Sequence, residues 1–312
     1  MNCGPRYFVP RYKGFDLEAI FDFLGGLVHG CYGNICPLSD ARHNARQTKL
    51  ETLMSIFDLT GRVAVITGGN GGIGLGIAQA LAAAACNVSI WGRNAEKNKS
   101  AAATMAGCAG KVDSRICDVS DPASVKAAMA ATLERLGRVD GCFANAGIGG
   151  GGRHAFIDRT EQQWRSMFAT NLDGVFHVFQ AAARHMTERA TAGDPFGRLV
   201  ATSSLASLFG TARNEHYAAT KAAINALVRA LAVELARQGV TSNAILPGWI
   251  KSDMTANIMA NEKFVANVMP RIPMRRFGEP SDFGGIAVYL MSKASSYHTA
   301  DCFVIDGGYT AF

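Results

Sequence analysis

Tyr217 and Lys221 stand one helical turn apart in the pentapeptide Tyr217-Ala-Ala-Thr-Lys221. Downstream, Ile224, Val228, Leu231 and Leu235 recur at helical spacing, so the phenol and the ammonium share one face of a helix. A tyrosine near its free pKa of about 10 is a poor base at neutral pH, and a cation one turn away favours its phenolate. The pair is a candidate proton-transfer device. On spacing alone, a surface helix with an incidental aromatic and lysine is the commoner origin of such a pattern. Ser204, thirteen residues before Tyr217, adds a hydroxyl to the set.

These groups need elements to hold them. Val63-Ala-Val-Ile is an apolar, β-branched run suited to a strand covered on both faces. Thr67-Gly-Gly-Asn-Gly-Gly-Ile-Gly74 follows it, ahead of an alanine-rich helical stretch. Backbone N–H groups of such a loop, with the helix dipole behind them, form an anion cradle that a phosphate approaches closely. Gly69, Gly71 and Gly74 satisfy the G-x-G-x-x-G spelling, which a loop this rich in glycine meets easily, so its place between strand and helix is the stronger support. A plain tight turn is the alternative. Further strands are predicted over 87–91, 112–117, 139–143, 198–202, 241–246 and 302–305, alternating with helices. That alternation predicts an α/β fold with a doubly wound, seven-stranded parallel sheet in one domain. Residues 248–276 read as a long mobile insertion.

The 312 residues, 48% of them apolar, suffice for one large buried core. A net charge of +6 without a run of five like charges argues weakly for anionic small molecules and against a nucleic-acid surface. No apolar run approaches the roughly 18 residues that span a bilayer. Eight cysteines form no C-x-x-C pair, which suits reduced thiols and a cytoplasmic setting. The seven histidines show no ligand spacing, so no metal is expected. Residues 1–53 read as an appendage, either poorly ordered or non-native, with one weak amphipathic stretch at Leu17, Ile20, Phe21, Leu24 and Val28; a start at Met54 would begin the domain 54–312.

Taken jointly, Thr67-Gly68-x-x-x-Gly72-x-Gly74, Asp118-Val119, Asn145-Ala146-Gly147, Asn171, Ser204, Tyr217-x-x-x-Lys221 and Pro247-Gly248 occur in a specific order and spacing. In these motifs the chain, over about residues 58–312, resembles the short-chain dehydrogenase/reductase family, including its 3-oxoacyl-carrier-protein reductases and gluconate or sugar dehydrogenases. One small departure is Ala144, where the family has a second asparagine before Asn145. The resemblance implies a Rossmann-type, three-layer α/β/α domain and a catalytic tetrad of Asn171, Ser204, Tyr217 and Lys221. It further implies NAD(P)(H) held by Gly68, Asn70, Gly72, Ile73, Gly74, Arg93, Asp118, Val119, Asn145, Ala146, Gly147, Tyr217, Lys221, Pro247, Gly248, Ile250 and Ser252, and a homodimer or homotetramer. Asn171 would hold a water that relays protons to Lys221, although a buried asparagine is more often a satisfied polar group bridging backbone.

The chemistry also follows from the residues. Hydride transfer between a carbinol carbon and nicotinamide needs a base on oxidation and an acid on reduction, and Tyr217 can serve as both. Ser204 would hold the substrate oxygen where charge develops. Gly92 and Arg93 at the end of the second strand, with no carboxylate there, favour NADP, with room for a 2′-phosphate; NAD use stays open. Asp118 would accept from the adenine amino group or cap a helix. Loops 149–154, 205–216 and 248–276 should wall the substrate pocket. Their Arg153, Arg213, Lys251, Lys263, Arg271, Arg275 and Arg276 suit an anionic small molecule, a sugar acid or an acyl chain on an acidic carrier, and equally a solvated face. The leading expectation is interconversion of a secondary alcohol and a ketone. A silent dinucleotide-binding regulator or scaffold, or a non-redox epimerase or dehydratase on the same fold, are the competing ones.

Overall fold

The computed structural model describes residues 56–149 and 154–312. The expected appendage 1–53, its amphipathic stretch, Met54 and Arg153 lie outside the described residues.

Seven strands form one parallel sheet: β1 (Val63–Thr67), β2 (Asn87–Gly92), β3 (Val112–Ile116), β4 (Gly141–Ala144), β5 (Gly197–Thr202), β6 (Val240–Pro247) and β7 (Cys302–Ile305). Their order is β3-β2-β1-β4-β5-β6-β7. The connections run in opposite directions on either side of the β1/β4 pair, so the chain leaves these two strands toward opposite faces and a crevice opens at their carboxyl ends. The predicted strands agree with those observed to within two residues at each end.

Every residue of β1 is buried, as its unbroken apolar run requires. Alternate side chains feed two cores. On one face Val65, Cys142 and Leu199 pack with α3 (Pro122–Leu136), α5 (Gly174–Thr191) and α6 (Glu215–Leu235), through Val125, Val178, Phe179, Ile224 and Val228. On the other, Ile66, Ile90 and Phe143 meet Ile77 and Leu81 of α1 (Gly72–Ala83) and Leu290 of α9 (Gly284–Met291). Helix ends carry local signals: Asn94 caps α2 (Ala95–Ala103), Asp121 followed by Pro122 starts α3, and Thr160 and Gln163 form a capping box on α4 (Glu161–Phe168).

Two features of the layout matter for the site. A π-helical stretch, Ala169–Asp173, separates α4 from α5 and carries Asn171. Segment 248–276 is folded: α7 (Ala256–Met259) and α8 (Glu262–Val268) bury Val268 and Ile272, with Phe277 just beyond, under Trp249 and Phe264, whose rings meet edge-on at 4.8 Å. Those apolar residues bury one another and give the segment a small core of its own.

At the amino-terminal edge, away from the crevice, the buried carboxylate of Asp140 meets three guanidiniums: Arg62 at 3.1 Å, Arg138 at 2.6 Å and Arg189 at 3.1 Å. It also accepts from the Val63 backbone N–H at 2.9 Å, while Arg189 donates to the carbonyls of Val139 and Phe196. A buried carboxylate persists only when paired in this way. The cluster ties the starts of β1, β4 and β5 to the end of α5.

Candidate active site

The turn between β1 and α1 is shaped by close packing. Gly68 has φ +63°, and a Cβ on Gly74 would lie 2.3 Å from the Gly68 carbonyl oxygen and 2.5 Å from Asn145 Nδ2. Only glycine lets the helix start so near the loop. Thr67 Oγ1 accepts from the backbone N–H of both Asn145 and Ala146 at 3.0 Å, which joins the β1 and β4 loops. The amino end of α1 has no side-chain cap and no acidic residue in its first turn, so its N–H groups and dipole are free for an anion.

This end opens onto a cleft of about 470 Å³ whose wall includes Gly68, Gly72, Ile73, Asn145, Ser204, Tyr217 and Lys221. Pro247, Gly248, Ile250 and Ser252 close it from the β6 side. A neighbouring recess of about 390 Å³ is lined by Trp91, Arg93, Asp118, Val119 and Ala146. Asn70, Arg93 and Gly147 border one or both. Of the residues expected to contact a cofactor, Gly74 alone lies behind these walls, where it supports Gly68. An uncapped helix start, a glycine cradle and two adjoining recesses fit a pyrophosphate flanked by two nucleosides.

Lys221 is buried, and its Nζ donates to the Thr202 carbonyl at 2.7 Å. Burial lowers its pKa to about 8. Tyr217 is pushed above its ordinary value by burial, against which its side-chain hydrogen bond with Ser204 acts. Burial is thus the dominant influence on the phenol, while Lys221 Nζ, 5.6 Å from the Tyr217 ring centroid, hydrogen-bonds the Thr202 carbonyl. Ser203, adjacent to Ser204, is fully committed; its Oγ donates to the Lys221 carbonyl at 3.0 Å and so fixes α6 against β5.

Asn171 does not line the cleft. Its Oδ1 accepts from the Ile148 N–H at 2.8 Å and its Nδ2 donates to the Ile148 carbonyl at 3.0 Å and to Met167 sulfur at 3.0 Å. The side chain thus bridges backbone, and its Oδ1 accepts one of the two hydrogen bonds it can take. Through Ile148 it positions Gly147, whose Cβ would lie 3.2 Å from Asn171 Oδ1 and 3.8 Å from Lys221 Nζ.

Several features were not read from the sequence. Space above Gly92, expected to admit a phosphate, is filled by Asn70 and Asn98: a Cβ there would lie 2.2 Å from Asn70 Nδ2. Asn70 donates to Asn98 Oδ1 at 2.7 Å, and Asn98 donates to the carbonyls of Gly92 and Arg115. Asp118 is no helix cap; its Oδ1 accepts from the Ser120 N–H and hydroxyl, which hold its pKa below the usual range with help from burial-opposing charge on Arg93. Lys97, Thr202, Asp253 and Met254 also line the cleft.

Crevice, cradle and polar trio define a dinucleotide-binding α/β enzyme. A family model described as enoyl-(acyl carrier protein) reductase matches residues 68–310. The chain is 34% identical over 253 residues to a 3-oxoacyl-[acyl-carrier-protein] reductase of Chlamydia pneumoniae, covering 81% of this chain and 98% of that one. It is 34% identical over 256 residues to a gluconate 5-dehydrogenase of Gluconobacter oxydans, covering 82% and 97%. A gluconate 5-dehydrogenase from Burkholderia cenocepacia, solved with NADP and tartrate, superposes with a TM-score of 0.77 at 32% identity, over 83% of this chain and 99% of that one. The chain belongs to the short-chain dehydrogenase/reductase family and is an NAD(P)-dependent oxidoreductase.

Proposed function

We propose that the protein interconverts a secondary alcohol and a ketone with NADP, with Tyr217 as acid and base. The observation that carries this reading is that Ser204, Tyr217 and Lys221 border the same cleft as the glycine cradle. The nicotinamide, when bound, supplies or accepts the hydride. Ser204 Oγ holds the substrate oxygen, and the phenol hydroxyl of Tyr217 gives that oxygen a proton on reduction and takes it back on oxidation. With its pKa raised, Tyr217 is protonated at neutral pH, the form that reduction needs. Lys221 places positive charge beside the ring and stabilises the phenolate left after transfer. Ser203 and Thr202 keep α6 and the ammonium in register.

NADP is favoured by the exposed Arg93 at the end of β2, and a related dehydrogenase is solved with it. On the substrate side, the cations of segment 248–276 are largely engaged within the protein. Lys251 pairs with Glu279 at 2.9 Å, Arg276 pairs with Asp282 at 2.7 Å, Arg275 donates to the Pro270 carbonyl, and Arg271 stacks over Tyr309. Half-exposed Met254 lines the cleft instead. Met254 on the cleft wall favours an apolar 3-oxoacyl substrate, and a sugar acid, which the exposed Lys251 could leave Glu279 to meet, is the second reading. Oxidation and reduction of 3-oxoacyl thioesters, sugar acids and polyols, followed by nicotinamide absorbance with both dinucleotides, tests the assignment. Tyr217→Phe is expected to lower kcat by about 10²–10⁴-fold, the usual contribution of a general acid, with dinucleotide affinity unchanged. Equal turnover by the variant and the parent protein would remove Tyr217 from its role.

A further inference from the structure

Lys97 joins two parts of the groove that the sequence keeps 156 residues apart. It lies in the first turn of α2, beyond Arg93, and its Nζ contacts Asp253 Oδ2 at 2.6 Å. Lys97 and Arg93 line both the main cleft and the neighbouring recess, and Asp253 lines the main cleft. Asp253 sits on a turn fixed by Thr255, whose Oγ1 donates to the Ile250 carbonyl at 2.6 Å and accepts from the Ser252 N–H at 3.0 Å. Ser252 itself packs close to the cradle, since a Cβ on Gly72 would lie 3.3 Å from its Cβ. The ion pair thus bridges α2 and the segment after β6 beside the glycine cradle.

Charge around the outer groove is balanced. Asp253 answers Lys97, and Asp118 lies close enough to Arg93 for that guanidinium to help stabilise its carboxylate. The two balances differ in kind. Asp118 is satisfied by Ser120 and does not depend on Arg93. Asp253 has Lys97 as its charged partner, with side-chain exposures of 58% for the lysine and 87% for the aspartate. A pair so open to water is strongly screened and contributes little to folding. A phosphate monoester carries about −1.5 to −2 at neutral pH, roughly twice the charge of a carboxylate, and is the stronger partner for a flexible ammonium.

We propose that Lys97 is a second residue selecting the phosphorylated dinucleotide, and that it exchanges Asp253 for the 2′-phosphate when NADP enters. This rests on the reading that the cleft binds a dinucleotide. Because the aspartate is on the fixed turn and the lysine on a long stem, the lysine makes the move. With NAD there is no phosphate to receive it, so the pair persists and Lys97 adds no affinity. Asp253 accordingly competes against NADP and is neutral toward NAD.

The test is equilibrium titration of NADPH and NADH, by their fluorescence, into the parent protein, Lys97→Gln, Asp253→Asn and the double variant. Adenosine 2′,5′-bisphosphate and adenosine 5′-monophosphate, followed calorimetrically, serve as fragments that differ only in the 2′-phosphate. Lys97→Gln is expected to weaken NADPH and the bisphosphate on the order of tenfold, the worth of one charge-assisted hydrogen bond, and to leave NADH and the monophosphate unchanged. Asp253→Asn is expected to tighten NADPH alone, and to lose that effect when Lys97 is also replaced. If Lys97→Gln weakens both dinucleotides equally or neither, or if Asp253→Asn acts identically with and without Lys97, the assignment is overturned. A parent protein that binds neither dinucleotide would overturn the cleft reading as well, which separates the two failures.

Discussion

Lys221→Met is expected to make the protein more stable and inactive, and its pH dependence tests how Lys221 is held. The ammonium is buried, and burial moves its pKa from 10.5 to about 8. Between those values the unfolded chain keeps a proton that the folded chain has released. Parent stability therefore rises with pH across this window, at up to about 1.4 kcal/mol per pH unit, and by about 3 kcal/mol in total. Below pH 8 the whole cost of burying the charge is present; above 10.5 it is gone. Methionine fills a similar volume and carries no charge, so the variant lacks this slope. It also loses the hydrogen bond to Thr202, worth about 1–2 kcal/mol, which leaves a net gain of about 1–2 kcal/mol at pH 7. Urea denaturation of both proteins at intervals from pH 7 to 10.5 reads the difference directly. The variant should be the more stable at neutral pH, and the parent should overtake it near the alkaline end. Parallel stability curves would refute the inference that Lys221 is buried at a cost.

Two further predictions concern the cofactor side. Gly74→Ala forces a methyl group against the Gly68 carbonyl, and overpacking of this sort costs about 1–3 kcal/mol; thermal melts should fall and dinucleotide titration should weaken together, whereas loss of neither would mean that the loop yields freely. Arg93→Asp should reverse preference from NADPH toward NADH, by about tenfold or more for each as one charge is replaced by its opposite; an unchanged ratio of the two dissociation constants would discount Arg93 as a selector.

What could be read from the sequence was local. The strand at Val63, the glycines after it and the Tyr217/Lys221 interval are each contained in a few consecutive residues, so their meaning survives without knowledge of distant partners. The alternation of strands and helices then sufficed for the sheet. Contacts across the sequence were not legible. Gly92 looked like room for a ligand because the local pattern does not show where side chains point: Asn98, six residues on, and Asn70, from the glycine loop, fill that room. The charges of 248–276 looked free because Glu279, Asp282 and Tyr309 lie beyond that segment. The engagement of the Asn171 amide with Ile148 was not legible either, because the π-helical stretch that aims it there leaves no periodic signature. The raised pKa of Tyr217 was missed for a related reason: a helix face shows that two groups are neighbours but not how deeply each is sunk.

The carboxylate of Asp140 and its ring of arginines stand at the end of the sheet that performs no chemistry. Strands fastened there are free to diverge at the opposite end, where loops of any length can be hung without disturbing the knot. Selection for a new substrate can then rewrite the segments after β4, β5 and β6 while the far edge keeps the strands aligned. A chain built this way separates what must endure from what must vary, and places the two at opposite poles of the same sheet.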